Sequence, residues 1–117
     1  SSIENRIVDQ VKQYSSNFEK ILVILDSNHE HDHVLTELKI YSKLVSIKSY
    51  CIVFDTVIEE LPEHFFLDRD WKPGNNPKTA VLDFLKDNKN FKIDNEIQSK
   101  LLITAAPEGY LQKIHDI

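Results

Sequence analysis

The sequence predicts an α/β fold, a mostly parallel sheet with an antiparallel carboxyl-terminal edge, in the order α-β-α-β-loop-α-β-β. Two apolar runs carry most of that prediction, Ile21-Leu22-Val23-Ile24-Leu25 and Ser49-Tyr50-Cys51-Ile52-Val53-Phe54. Continuous apolar residues over this length suit strands buried on both faces, as in a parallel sheet covered by helices. The third observation is the segment between them, whose apolar residues recur at helical spacing.

The elements follow in order. Ile3, Ile7, Val11 and Tyr14 share a helical face, with Val8 beside them, so residues 3–15 read as an amphipathic helix. Ser1 or Ser2 is its expected cap, and Ser15-Ser16-Asn17 ends it. The strand at 21–25 follows, then a helix over about Asp32–Leu44 with Val34, Leu35, Leu38, Tyr41 and Val45 turned inward. The second strand, 49–54, runs into Asp55-Thr56. Residues 59–76 are polar, with Pro, Gly and scattered aromatics; a loop this long in a compact domain is usually functional or mobile. Asn76-Pro77 reads as a cap followed by Pro at the first helical position, opening a third helix through Ala80, Val81, Phe84 and Leu85 to about Asn88. Phe91-Lys92-Ile93 alternates as a short strand, and Leu101-Leu102-Ile103-Thr104-Ala105 is expected to be its antiparallel partner. Pro107-Glu108-Gly109 reads as a turn and 110–117 as a tail.

Length sets one domain, residues 1–117. A net charge of −5 with scattered basic residues argues against a nucleic-acid partner. No apolar run approaches the ~20 residues that span a bilayer. The single Cys51 lies in an apolar stretch and reads as a small core residue in a reducing, cytoplasmic setting. The chain has two glycines and no methionine, which points to part of a longer protein.

The chemistry concentrates after the first strand, in Asp26-Ser27-Asn28-His29-Glu30-His31-Asp32-His33. In open α/β sheets ligands bind beyond the carboxyl ends of the strands. Asp26 and Asp55 each follow a buried strand directly, and paired carboxylates at adjacent strand ends suit a hard divalent cation such as Mg²⁺. Each aspartate also suits a plain capping role. His29 has the residue chemistry of a general base near neutral pH, or of a solvated loop histidine. His29, His31, Asp32 and His33 also invite a zinc-hydrolase reading, although the spacing is one residue short of the His-x-His-x-Asp-His signature. Trp71 with Asn75-Asn76-Pro77-Lys78 reads as a substrate-facing flap or as a surface loop anchored by one tryptophan. The chain has no phosphate-binding glycine loop and no nucleophile elbow.

Four stretches together resemble one family: Leu22 to His29, Ser49 to Thr56, Pro73 to Val81 and Leu101 to Leu111. They are similar to the cephalosporin hydroxylase and rhamnosyl O-methyltransferase family, with Asn-Asn-Pro-Lys-Thr-Ala and Asp-Ser-x-His the most specific pieces. The resemblance implies a Rossmann-like, S-adenosylmethionine-dependent methyltransferase fold, present here as its carboxyl-terminal half only. It implies that the glycine-rich loop and strands holding S-adenosylmethionine lie upstream of Ser1. It places Asp26 at a metal-ligand position and His29 at the base. Phe54 and Asp55 fall where related sugar methyltransferases carry an adjacent acidic pair, so only one carboxylate of that pair remains. The implied activity is methyl transfer to a hydroxyl of a sugar or natural product, with Mg²⁺ on Asp26 and Asp55; the flap reading would add Trp71, Asn75 and Asn76 as the substrate loop. The alternatives are a non-catalytic assembly fragment and the zinc hydrolase. Half a parallel sheet leaves an open edge, so a homo-oligomer is expected.

Overall fold

The structure is a computed structural model and describes residues 1–116. Its helices are α1 (Asn5–Ser15), α2 (His31–Tyr41), α3 (Pro77–Asp87) and α4 (Asn95–Leu101). Its strands are β1 (Val23–Leu25), β2 (Tyr50–Val53), β3 (Phe91–Ile93) and β4 (Tyr110–Lys113). Short 3-10 turns occupy Ser42–Leu44, Thr56–Glu60 and Glu63–Phe66.

The α/β class holds, as a mixed four-stranded sheet in the order β1-β2-β4-β3. β1 and β2 are parallel; β4 is antiparallel to both β2 and β3. Three strands therefore run one way and β4 alone is reversed between two of them. The carboxyl ends of β1, β2 and β3 consequently share one edge, and β4 starts from that same edge.

The expected mostly parallel sheet with an antiparallel edge does not hold: only β1 and β2 pair in parallel, and the reversed strand lies between β2 and β3 and comes from another segment than the one expected. Residues 101–105 form no strand: Leu101 ends α4, Leu102 has a φ of +65°, and Leu102 and Ile103 are 87% and 91% exposed. The strand lies instead at Tyr110–Lys113, in what read as a tail; Ile117 of that tail lies outside the described residues. The physical reason is Lys113. Its stem is buried, its Nζ donates to the Val45 carbonyl at 2.9 Å, and the ammonium sits 5.9 Å from the Phe91 ring centroid. A lysine satisfied in this way packs as an apolar residue with a polar tip.

α2 and α3 pack together, and the core gathers Val34, Leu38, Tyr41 and Val45 with Cys51, Val53, Val81, Phe84, Phe91 and Leu111. Each such side chain contributes about 1.5–3 kcal/mol of burial. Phe84 and Phe91 meet edge to face at 5.6 Å. Cys51 is fully buried, as expected, and burial, then the charge of Glu37, pushes its thiol up to about 12. In α1 only Val8 is buried; Val11 and Tyr14 are exposed, and Val11 lies beside a groove that α1 forms with β1. The groove opens because β1 is an edge strand: Leu22 and Ile24 point to solvent, 49% and 55% exposed.

The helix starts follow local chemistry. Asn76 caps α3: its Oδ1 accepts from the Lys78 and Thr79 backbone N–H groups, Thr79 returns a hydrogen bond, and Pro77 takes the first position. Asp94 caps α4 through the Glu96 and Ile97 N–H groups.

Candidate functional site

The sheet register sets the site. Leu25 lies opposite Val53, so the chains leaving β1 and β2 emerge side by side at the carboxyl edge. Asp26 follows one strand immediately, and Phe54-Asp55 follows the other. Asp55 adopts a left-handed backbone, φ +63° and ψ +20°, which Asp tolerates better than most residues. That turn ends the strand and starts the Thr56–Glu60 helical turn.

His29 closes the group. Its Nε2 lies 2.9 Å from Asp55 Oδ2. Asp26, His29 and Asp55 each bring a ligand-type atom within 4.8 Å of the others, and they form the one such group of three among the described residues. Burial, then the adjacent Asp26 carboxylate, raises the Asp55 pKa above the ordinary carboxylate value, while His29 pulls it down. Two carboxylates and an imidazole held together in this way fit a divalent cation, whose charge would offset their repulsion. Phe54, half-buried, donates its backbone N–H to the Leu25 carbonyl and brings no carboxylate.

The turn from Asp26 to His31 is held at three points. Ser27 Oγ donates to Glu37 Oε2 at 2.9 Å, Asn28 Oδ1 accepts from the Glu30 N–H at 2.8 Å, and the His31 N–H donates to Asn75 Oδ1 at 2.8 Å. The middle contact is an Asx turn, the local bond that lets Asn reverse a chain.

The loop expected at 59–76 folds over this edge. Trp71 meets the His29 ring edge-on, centroids 4.8 Å apart, with Phe66 at 5.4 Å and the Arg69 guanidinium 4.7 Å from the Trp71 centroid. A polar depression of about 480 Å³ opens there between Ser27–Glu30 and Asp68–Trp71. Asn75 is tied to the backbone on both sides, accepting from His31 and donating from Nδ2 to the Asp70 carbonyl at 2.9 Å. Asn76 is fully buried, and its Nδ2 donates to Lys72 O and Glu59 Oε1, so its amide is spent within the fold.

The polar cluster of the sequence splits. His31 turns to α3, with Nδ1 2.7 Å from Thr79 Oγ1 and Nε2 3.0 Å from Asp83 Oδ2. His33 turns to the other side, 3.2 Å from Ser2 Oγ and 3.6 Å from Glu37 Oε1. Asp32 is exposed in the first turn of α2. A zinc site using these with His29 is not assembled. Sequence reasoning missed Glu37 and Glu59. A charged residue between Val34, Leu38 and Tyr41 on the apolar stripe of α2 was the available signal for the first.

Comparison with known proteins places the chain in a family. The sequence profile of the Rhamnosyl O-methyltransferase/CmcI family matches residues 1–114. Proteins named rhamnosyl O-methyltransferase from Mycobacterium bovis (strain BCG / Pasteur 1173P2) and Mycobacterium tuberculosis (strain ATCC 25618 / H37Rv) are each 33% identical over 113 residues. Those matches cover 95% of this chain and 44% of each relative, so the chain spans under half the length of the curated relatives it matches. No solved structure matches the chain. No helix among the described residues is long and apolar enough to cross a membrane. With a profile match over nearly all of its length, the chain belongs to the Rhamnosyl O-methyltransferase/CmcI family.

Proposed function

We propose that this chain carries the acceptor side of an S-adenosylmethionine-dependent O-methyltransferase that acts on a hydroxyl of a sugar or natural product. The single observation that supports it most is the convergence of Asp26, His29 and Asp55 at the ends of two parallel strands, beside Trp71. The relatives' printed name, rhamnosyl O-methyltransferase, supplies the acceptor class.

His29 is the general base in this reading. Asp55 faces Nε2, so the tautomer protonated there donates to the carboxylate and leaves Nδ1 as the basic atom. Nδ1 is the atom that takes the hydroxyl proton, which leaves the acceptor oxygen nucleophilic. Asp55 also stabilises the imidazolium that results. S-adenosylmethionine, when bound, supplies the electrophilic methyl group, and in this reading a glycine-rich loop of a longer protein holds it. Asp26 and Asp55 would hold Mg²⁺, whose charge favours an ionised hydroxyl. Trp71 and the polar depression position the acceptor, and much of the rate comes from such positioning.

The test is His29→Ala in the full-length enzyme. Turnover should fall by about 10²–10⁴-fold while methyl-donor binding is retained. Unchanged turnover would remove the base assignment. A second reading, a non-catalytic assembly fragment, is favoured by the open β1 edge with Leu22 and Ile24 exposed. It calls for self-association of the chain through that edge, and a monodisperse monomer in sedimentation would contradict it.

A further inference from the structure

Glu37 is a carboxylate in the core. It lies on α2 beside Leu38 and is 2% exposed. Burying that charge is costly unless its hydrogen bonds repay it. Oε2 accepts from two hydroxyls, Ser27 Oγ at 2.9 Å and Ser2 Oγ at 2.8 Å. Oε1 is buried without a hydrogen-bond partner, with His33 Nε2 3.6 Å away. Both hydroxyls donate to this one oxygen. The one proton of Ser27 is therefore committed, and its side chain is locked toward α2. Ser27 directly follows Asp26 and precedes His29 by two residues. Of the three ties on this turn, the Glu37 tie reaches into the core.

We propose that Glu37 is the positioning residue of the site: through Ser27 it fixes the turn that sets Asp26 and His29 against Asp55. It touches no reacting atom. The proposal rests on the reading of Asp26 and His29 as site residues, and it explains why the fold keeps a carboxyl group where an apolar side chain would pack at less cost. The same oxygen that holds Ser27 also holds Ser2, which precedes α1 in sequence and is no part of the turn, so it provides an internal control.

The protein carries its own reporter. Trp71 is the one tryptophan, and the His29 ring meets it edge-on at 4.8 Å. An imidazole in contact with an indole quenches its emission, so a displaced His29 brightens Trp71. His29→Ala gives the unquenched reference. Ser27→Ala and Glu37→Gln should move the emission toward that reference and weaken Mn²⁺ binding, read by electron paramagnetic resonance, by about 10-fold or more. Ser2→Ala should leave both at the wild-type level. Wild-type emission and Mn²⁺ affinity in Ser27→Ala would overturn the proposal. So would a Ser2→Ala effect as large as that of Ser27→Ala, which would make Glu37 a general packing residue of α2. Ser27 is exposed, so its variant decides the question even if Glu37→Gln does not fold. If the wild type binds no Mn²⁺, the metal reading fails, and the emission of Ser27→Ala still tests this one.

Discussion

Asn75 Oδ1 accepts the backbone N–H of His31 at 2.8 Å, across 44 residues of sequence. His31 is the first residue of α2, and Glu30, at the cap position, makes no side-chain cap bond. Asn75 therefore caps α2 from a distance, and the same bond fastens the loop that carries Trp71 over the site.

Asn75→Ala should behave as a lost cap and cost about 0.5–2 kcal/mol in urea denaturation. It should also free the loop, so that limited proteolysis cuts between residues 61 and 74 faster than in the wild type. A variant with lower stability but unchanged cleavage would show that the bond serves α2 alone.

The charge on Asp55 makes a pH prediction with a definite sign. Its folded pKa is raised, chiefly by burial and then by Asp26. The folded state therefore holds more proton than the unfolded state between the ordinary value, about 3.9, and the raised one. Stability from this group is present below that window and is lost as pH rises through it. Asp55→Asn should lack this loss. Mg²⁺ should raise the melting temperature of the wild type above the window and not below it. Identical pH profiles for wild type and variant, in thermal melts with and without Mg²⁺, would contradict the assignment.

His31 and Asp26 should separate cleanly in metal binding. His31→Ala removes contacts with Thr79 and Asp83 and should leave Mn²⁺ affinity unchanged, whereas Asp26→Ala should abolish it. Stoichiometric zinc that disappears with His31→Ala would instead restore the zinc reading.

Gly109 is the tightest backbone position near the site. A Cβ there would lie 2.2 Å from the Val53 carbonyl oxygen, and the Gly109 carbonyl accepts from the Val53 N–H at 2.9 Å. Gly109→Ala should cost about 1–3 kcal/mol as overpacking. Because Val53 leads within two residues to Asp55, Mn²⁺ binding should weaken with it, which isothermal titration would read.

Much of this was legible in the residues. Phe91–Ile93 and the Asn76-Pro77 helix start stand where the pattern placed them, because a period of two and a cap with Pro are local signals. The convergence of Asp26 with Asp55 was legible too, because both follow a buried strand. The register that brings His29 onto Asp55 was not, since it depends on the left-handed turn at position 55. The last strand failed for a similar reason. Leu101-Leu102-Ile103 is the more apolar run, yet β4 took Gln112 and Lys113, because pairing with both β2 and β3 and a carbonyl for the Lys113 ammonium outweighed composition. Asn75 and Asn76 look alike in sequence, but one ends in a long-range tie and the other inside a capping box.

The left-handed backbone of Asp55 has an evolutionary consequence. In the proposed site, position 55 satisfies a positive φ and supplies a carboxylate. Glycine meets only the first demand, and glutamate meets the second at a steric cost. Asparagine keeps the turn and loses the charge. A lineage drifting away from the chemistry therefore has two cheap exits, Asn and Gly, both of which preserve the fold. A β-branched replacement would forfeit the turn along with the carboxylate, so relatives that have abandoned catalysis should be recognisable by an amide or a glycine at this one place.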